Sequence, residues 1–401
     1  MMNIQMLVPK QTIEHKNLFK KFRTLAPFSD GVIEFVSAFS SKILVDQALK
    51  KYPELIALGF WMRKSSIRHY KEIFESKNEG RIKLARGTVF HIAPSNVDTI
   101  FIYSLFISLL MGNANIVRIS QHSGKQTELL ITVLNELLGE SQFAHLQNYI
   151  QLVSFDHDSE ILTKLSASCD ARVIWGGDET IALITRVPIP PKAIDIKFAN
   201  KYSFTLLNGK SIAVLTNDER NILAKKFVND SYSFGQMACS SPRAVIWIES
   251  NAIVRKQFWE AVERQIDRFD HNLHDVDFIN KLVFEYGLAI EKDIKICATG
   301  SNKLSVLWTD LNTVFDLDAH CGSGLFLESK ITSLHELSSL LTKDFQTVSY
   351  YGIEKEQLID WISSGLNGID RLVPVGQALD FYPVWDGFDL SEFLTREVTV
   401  L

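Results

Sequence analysis

The sequence predicts an α/β protein of two Rossmann-like, parallel-sheet lobes with a cleft between them. Three observations lead there. The chain has 401 residues, too many for one hydrophobic core and enough for two or three lobes. From Arg86 to Arg186, short apolar strands alternate with helical segments through brief links, the pattern of parallel βαβ units. After a Pro-rich crossing stretch, the same alternation resumes near Ser211 and runs toward the C-terminus.

The elements follow in order. Residues 1–80 read mostly as helix, because apolar residues recur at three- and four-residue intervals from Asp30 to Ser76. "ARGTVFHIAPSNV" is an apolar strand running into a turn at Pro94 and Asn96. A helix from Asp98 to Met111 is stopped by Gly112-Asn113. "ANIVRIS" is the next strand, "GKQTELLITVLNELLG" a helix, and "IQLVSF" a strand. "ARVIWGGDETIALITR" reads as strand, Gly-Gly turn and helix. "VPIPPKAIDIKFANKYSFTLLN" then crosses between lobes. The second region holds helix "ERNILAKKFVNDSYSF", strand "AVIWIE", a long polar helical region from Val254 to Tyr286, and strand "LSVLWTD". "CGSGLFLESKITSLHELSSLLTKDFQTVSYYG" gives strand, helix and strand. The expected regions are 1–80, helical and packed on the cofactor lobe; 81–208, binding a dinucleotide; 209–370, catalytic; and 371–401, returning to the cofactor lobe.

Composition narrows the function. The chain is 46% hydrophobic and 22% charged with a net charge of −5, ordinary values that leave no basic face for nucleic acid. The longest apolar stretch, Thr99–Met111, falls short of the roughly 20 residues that span a bilayer. The start, MMNIQMLVPKQ, has no apolar secretory segment after its charges. The four cysteines, Cys169, Cys239, Cys297 and Cys321, form no CxxC pair, which argues against zinc and disulfides alike. A cytoplasmic, reduced setting is expected, with a cysteine free for chemistry.

Cys239 stands in "SYSFGQMACSSPRAVIWIE", Ser231–Glu249, where a helix gives way to a buried strand. Taken alone it reads either as a small core residue or as a nucleophile, whose thiolate needs an electropositive setting. Arg243, four residues on, is the nearby cation. Gly176-Gly177 after "RVIW" offers a turn at which backbone approaches phosphate, shorter than a GxGxxG. Asp178 and Glu179 read as first-turn charges facing a helix dipole.

Several segments together resemble the aldehyde dehydrogenase superfamily. "GQMACSSPR", Gly235–Arg243, is similar to its Gly-Gln-x-Cys nucleophile segment with one residue inserted. "HIAPSNVDTIFIYSLFISLLMGNANIVRIS", His91–Ser120, resembles its Pro-Trp-Asn turn, helix and cofactor strand, and "VIWGGDETI" its phosphate turn. "WGGDE", "IPPKAIDIKFANKYSF", "DFQTVSYYG" and "RLVPVGQALDFYPVWDG" resemble the acyl-CoA or fatty-acid reductase branch of LuxC type, from about residue 80 to the C-terminus. The resemblance implies an acyl-CoA reductase that forms a thioester on Cys239 and reduces it with a nicotinamide cofactor to an aldehyde. It implies an oxyanion contact from Asn96, which otherwise reads as a turn former. Arg118 takes the place of a lysine on the adenosine ribose, or is a strand-end charge. A cation there suits a 2′-phosphate, so NADPH is expected ahead of NADH, with Ser120 as a neighbouring donor and Gly176 and Gly177 at the phosphates.

Two departures from the superfamily pattern carry information. The hydrolytic members have a glutamate upstream of the cysteine that activates water; here "KFANK", Lys197–Lys201, has no carboxylate, which favours reduction over hydrolysis. "HCGSGLF" replaces the usual Glu-x-Phe segment, putting His320 forward either as a general acid or as a strand-edge histidine. The partners expected are an acyl-CoA or other acyl thioester, an acyl-activating synthetase and a second copy of the chain, with no metal. An acyltransferase or thioesterase using the same cysteine, or a hydrolytic dehydrogenase, is the rival reading.

Overall fold

The computed structural model describes residues 4–10, 22–94, 97–121, 123–156, 160–266, 275–297 and 300–400. It divides into two compact units, Met1–Asn200 with Phe381–Leu401, and Lys201–Asp380.

The first unit contains β1 (Gln5–Val8), β2 (Ile82–Ala85), β3 (Thr88–Ile92), β4 (Ala114–Arg118), β5 (Ile150–Ser154), β6 (Ala171–Trp175) and β7 (Ile194–Phe198). Its main sheet has the order β1-β5-β4-β3-β6-β7. Neighbours are parallel, except that β1 lies antiparallel to β5. The chain winds from β3 out through β4 to β5, then returns to the other side of β3 for β6 and β7. The winding reverses between β3 and β6, which in open α/β sheets is where ligands bind. Every residue of β3, β4, β5 and β6 is buried, as expected of parallel strands covered by helices on both faces.

The covering helices are α1 (Asp30–Val45), α2 (Pro53–Trp61), α3 (Lys64–Lys77), α4 (Ile100–Leu110), α5 (Lys125–Gly139), α6 (Glu160–Ser168) and α7 (Asp178–Thr185). Val89, Val117, Leu152 and Val173 point into a core with α1, α4 and α5. Phe90, Ile116, Val153 and Ile174 point the other way, toward α6 and α7. Every residue of α4 is buried, so a helix apolar all round is here a core helix. Among the described residues no helix is long and apolar enough to cross a membrane.

The second unit contains β8 (Tyr202–Asn208), β9 (Pro242–Ile248), β10 (Lys295–Cys297), β11 (Ser305–Trp308), β12 (Leu325–Ile331), β13 (Phe345–Tyr351) and β14 (Arg371–Pro374). The order is β10-β11-β12-β9-β8-β13-β14, parallel but for the edge strand β10. The helices are α8 (Gly209–Ala213), α9 (Asn217–Tyr232), α10 (Ala252–Ile266), α11 (Asp275–Glu291), α12 (Leu311–Val314) and α13 (Lys355–Ser363). A reciprocal capping box of Thr216 and Glu219 starts α9, satisfying two otherwise orphaned backbone donors. Val245 and Trp247 pack against α9 and α10, whereas Ala244 and Ile246 face a core that includes Leu327 and Trp361. Asp230, near the end of α9, accepts hydrogen bonds from the backbone N–H groups of Gly376 and Ala378 at 2.6 and 3.0 Å, fixing the chain after β14.

The C-terminal segment returns to the first unit as β15 (Val384–Trp385), β16 (Phe388–Asp389), α14 (Leu390–Phe393) and β17 (Thr395–Val398). There β17 pairs antiparallel with β2, and Phe381 and Trp385 pack on Tyr103 with ring centroids 5.4 and 5.2 Å away.

The structure differs from the sequence reading at three places. Gln5–Val8 forms a strand, because β5 offers it an open edge, in a region read as helical. Residues 201–208 and 371–380 belong to the second unit, since β8 and β14 are hydrogen-bonded into its sheet. Ile194–Phe198, in the stretch read as crossing between lobes, is strand β7 of the first unit's main sheet.

Candidate active site

In the first unit the residues singled out for a cofactor gather at the carboxyl ends of adjacent strands. Arg118 ends β4, Ser120 follows it, and Gly176-Gly177 follow β6. The Gly176 N–H donates to the Phe198 carbonyl at 3.2 Å, and Gly177 is the cap residue before α7, with an ordinary φ of −67°. A Cβ would sit 3.4 Å from Thr180 at Gly176 and 3.5 Å from Asn200 at Gly177, which are normal contacts. The fold itself thus does not require glycine at either position. Their absent side chains leave backbone open at the head of a helix, at the point where the sheet reverses, and that arrangement fits a dinucleotide phosphate. Asp178 and Glu179 fill the first turn of α7, where their charges complement the helix dipole.

Arg118 is only 4% exposed. Its Nε donates to the Phe155 carbonyl at 3.2 Å, and its guanidinium lies 5.5 Å from the Phe155 ring. Its two terminal NH₂ groups make no hydrogen bond to described residues. Burial lowers its pKa and the nearby Asp156 carboxylate opposes that. His91, in the same strand layer, is buried between Ser104 and Asn115 at 2.8 and 3.0 Å. Burial pushes its pKa down to about 4, so it is a neutral core histidine. Asn96, expected to bind the oxyanion, lies outside the described residues.

In the second unit Cys239 stands in the turn between α9 and β9, half-buried. The backbone leading to it is unusual: Phe234, Gly235 and Gln236 have φ of 54°, 60° and 66°. Left-handed non-glycine residues cost on the order of 1–3 kcal/mol each and persist only where their surroundings fix them. The wholly buried Gln236 side chain does the fixing. Its amide nitrogen donates to the carbonyls of Pro242 and Leu325, both at 2.9 Å, and its oxygen accepts from the Gly324 N–H at 2.8 Å. The Cys239 turn is thereby tied to the loop that carries His320 and Cys321. The Ser323 N–H also donates to the Gly235 carbonyl at 2.9 Å. Gly322, at φ 73°, leaves no room for a side chain: a Cβ would lie 2.6 Å from that same carbonyl. The Cys239 carbonyl accepts from the Ser203 hydroxyl of β8 at 2.6 Å.

His320 is buried behind this turn. Its Nδ1 accepts from the Gly322 N–H at 3.1 Å, and its ring lies 5.6 Å from that of Phe284. Burial first, and the Arg243 cation second, push its pKa down to about 3. A neutral imidazole so held supports the loop, and an imidazolium acid is disfavoured there. Cys321 is half-buried and its thiol is raised by burial. Cys169, 1% exposed, is pushed up to about 12 by burial, and burial also raises Cys297. Sequence reasoning missed Gln236 as the clamp and Tyr202 and Ser203 as the floor of the turn. The Gly-Gln pair beside the cysteine was the available signal for the first; no sequence signal places β8 beside β9.

Solved structures place the fold. The chain superimposes on an NAD-dependent benzaldehyde dehydrogenase from Corynebacterium glutamicum with a TM-score of 0.61 at 14% identity, over 93% of this chain and 85% of that one. For lactaldehyde dehydrogenase from Escherichia coli the TM-score is 0.61 at 13% identity, over 96% and 85%. For a 1-pyrroline-5-carboxylate dehydrogenase from Thermus thermophilus it is 0.64 at 12% identity, over 96% and 83%. The architecture is therefore that of the aldehyde dehydrogenases. More narrowly, residues 68–396 match the acyl-CoA reductase (LuxC) family, and the chain belongs to it. It is an enzyme of the acyl-CoA reductase and aldehyde dehydrogenase type. No curated protein matches the chain.

Proposed function

We propose that the protein reduces an acyl thioester to an aldehyde by way of an acyl-enzyme on Cys239, with NADPH as the reductant. The observation that carries this reading is the placement of Cys239. It is a half-buried thiol in a braced turn at the head of β9, beside Arg243, in a chain of the acyl-CoA reductase family. The Cys239 thiolate attacks the thioester carbonyl carbon. The tetrahedral oxyanion collapses, the bond to the carrier sulfur breaks, and the carrier leaves as a thiolate that takes up a proton. When bound, a reduced nicotinamide supplies a hydride to the thioester carbonyl carbon. The resulting thiohemiacetal expels Cys239 as thiolate and releases the aldehyde. Gly176 and Gly177 would hold the cofactor phosphates through backbone, and the NH₂ groups of Arg118, which bond to no described residue, would reach the adenosine ribose. The donor is acyl-CoA or another carrier thiol, and a synthetase that delivers activated acyl groups is the protein partner that this reading implies.

The test supplies an acyl-CoA without NADPH and follows the intact protein by mass spectrometry. An acyl adduct should accumulate and map to Cys239 after digestion, and added NADPH should discharge it to aldehyde. Water should remove it slowly, because Lys197–Lys201 lacks the carboxylate that activates water and such a base contributes about 100- to 10,000-fold. Rapid release of free acid, or an adduct on Cys321, overturns the reading.

A further inference from the structure

We propose that Arg243 is the counter-ion of the Cys239 thiolate, an electrostatic positioning residue that keeps the nucleophile ionised near neutral pH. The inference rests on the reading of Cys239 as nucleophile and adds how that nucleophile is activated.

The backbone geometry comes first. Along β8 and β9, Ser203 pairs with Pro242 and Phe204 pairs with Ala244, and the register shifts between them. Arg243 is the residue left over on β9, that is, the bulged one. A bulge interrupts the in-and-out alternation of a strand and re-aims one side chain, which is why bulges recur beside active sites. Here it falls four residues after Cys239. The re-aimed guanidinium lies over the Tyr202 ring, 5.1 Å from its centroid. The next residue of β8, Ser203, holds the Cys239 carbonyl. The first two residues of β8 thus seat both members of the pair.

The electrical situation of Arg243 comes second. It is 7% exposed, yet its Nε has no hydrogen-bond partner, and the guanidinium as a whole makes no hydrogen bond or ion pair with any described residue. An uncompensated buried cation is costly, and burial lowers its pKa accordingly. The groups that offset this are Cys239 foremost, then Tyr202 and Cys321. No carboxylate is among them. Asp318 is held off on the Tyr202 hydroxyl at 2.9 Å, and together with burial it raises that phenol to about 12, so Tyr202 stays neutral. From α11, Lys281, Glu285 and Asp277 act on Cys321, whose thiol burial raises. His320 is neutral under burial and the Arg243 charge. Among the described residues, the Cys239 thiolate is the foremost anion that the site can offer this cation. The histidine at this turn, among the same described residues, is His320, which burial first and the Arg243 charge second keep neutral, so it offers the thiol no imidazolium.

The experiment measures iodoacetamide alkylation of the full-length protein from about pH 5 to about pH 10, following the Cys239 peptide by mass spectrometry. The rate rises with pH as the thiolate forms and levels off above its pKa. In the wild type the midpoint should lie at least one unit below the ordinary thiol value of about 8.5. Arg243→Gln should move it up by one unit or more, leaving about tenfold less thiolate at pH 7, and Arg243→Lys, which keeps the charge, should fall between. The midpoint is read rather than the rate, since a thiolate of lower pKa is intrinsically less nucleophilic. A wild-type midpoint at or above the ordinary value overturns the proposal, as does a folded Arg243→Gln protein with an unchanged one. If Arg243→Gln fails to fold, as judged by its melting curve, the wild-type midpoint and Arg243→Lys decide. Alkylation needs neither acyl donor nor cofactor. Failure of the nucleophile reading is therefore seen separately, as acylation that survives Cys239→Ala.

Discussion

Arg172 is wholly buried and fully partnered: its Nε and one NH₂ group meet the two Asp195 oxygens at 2.8 Å each, and the other NH₂ group donates to Ser166 and Val187. Arg118 and Arg243 are nearly as buried, and each keeps donors with nothing to bind among the described residues. Such donors are expensive to leave unmet unless a ligand or a reacting group takes them up. At Arg118 the expected taker is the adenosine ribose and its 2′-phosphate. Charge-assisted bonds to phosphate are roughly twice as strong as neutral ones, so Arg118→Gln should raise the KM for NADPH by about tenfold or more, and that for NADH far less. The Asp156 carboxylate acts against the phosphate, so Asp156→Asn should shift the balance the opposite way. Steady-state kinetics with both cofactors check this, and equal rises in the two constants show that Arg118 does not read the phosphate. Arg118 and Arg243 are visible in the sequence as single letters within their motifs. Their lack of partners is not visible, because a partner such as Asp195 is 23 residues from Arg172 in the chain and adjacent only through strand pairing.

At the scale of elements, the strands β3 to β6 and the helices α4, α5 and α7 were legible because buried parallel strands appear as short unbroken apolar runs, and the helices carry their own stop signals such as Gly112-Asn113, whereas β7 lay in the stretch read as a crossing between lobes and α6 was not read as a helix. Three kinds of feature were not legible. Strand order is one: nothing in "YSFTLLN" says that β8 sits between β9 and β13. Edge strands are another: Gln5–Val8 is short, and its burial is mixed. The third is the bulge at Arg243, since a one-residue shift of register leaves no mark on composition. The pair Arg172–Asp195 joins β6 to β7 in register, and it gives this layer a measurable test. Arg172 has no exposed side-chain surface, so Asp195→Ala strands its charge and should destabilise the protein by about 3–5 kcal/mol. Replacing both residues by apolar ones of similar size should cost much less. Chemical denaturation of the single and double variants distinguishes a pair that stabilises from one that only satisfies itself; equal losses in both would show that packing, not the charge, was removed.

At the scale of the whole molecule, the two units carry different halves of the proposed reaction. Cys239 with its bracing Gln236 belongs wholly to the second, whereas Gly176, Gly177 and Arg118 belong to the first. Acylation asks only for a thiolate and a carrier that departs, so it should proceed without the cofactor residues. Reduction asks for the cofactor and should fail when its seat is filled. Gly177→Leu is suited to separate them. The backbone there has an ordinary φ of −67°, and a Cβ would make only a normal 3.5 Å contact with Asn200, so the chain should fold as before. The leucine side chain would extend from the open backbone where a phosphate is expected. In this variant the Cys239 adduct should form from acyl-CoA to the wild-type extent and then persist with NADPH present, while aldehyde output falls by about 100-fold or more, as when positioning of a reactant is lost. Cys239→Ala should do the reverse, leaving cofactor binding intact with no adduct. Time-resolved mass spectrometry reads the adduct and a fluorescence titration reads the cofactor. A Gly177→Leu enzyme that discharges its acyl group at the normal rate would mean that this turn does not seat the cofactor. One that fails to acylate would mean that the two halves of the reaction are not divided between the units as their residues are.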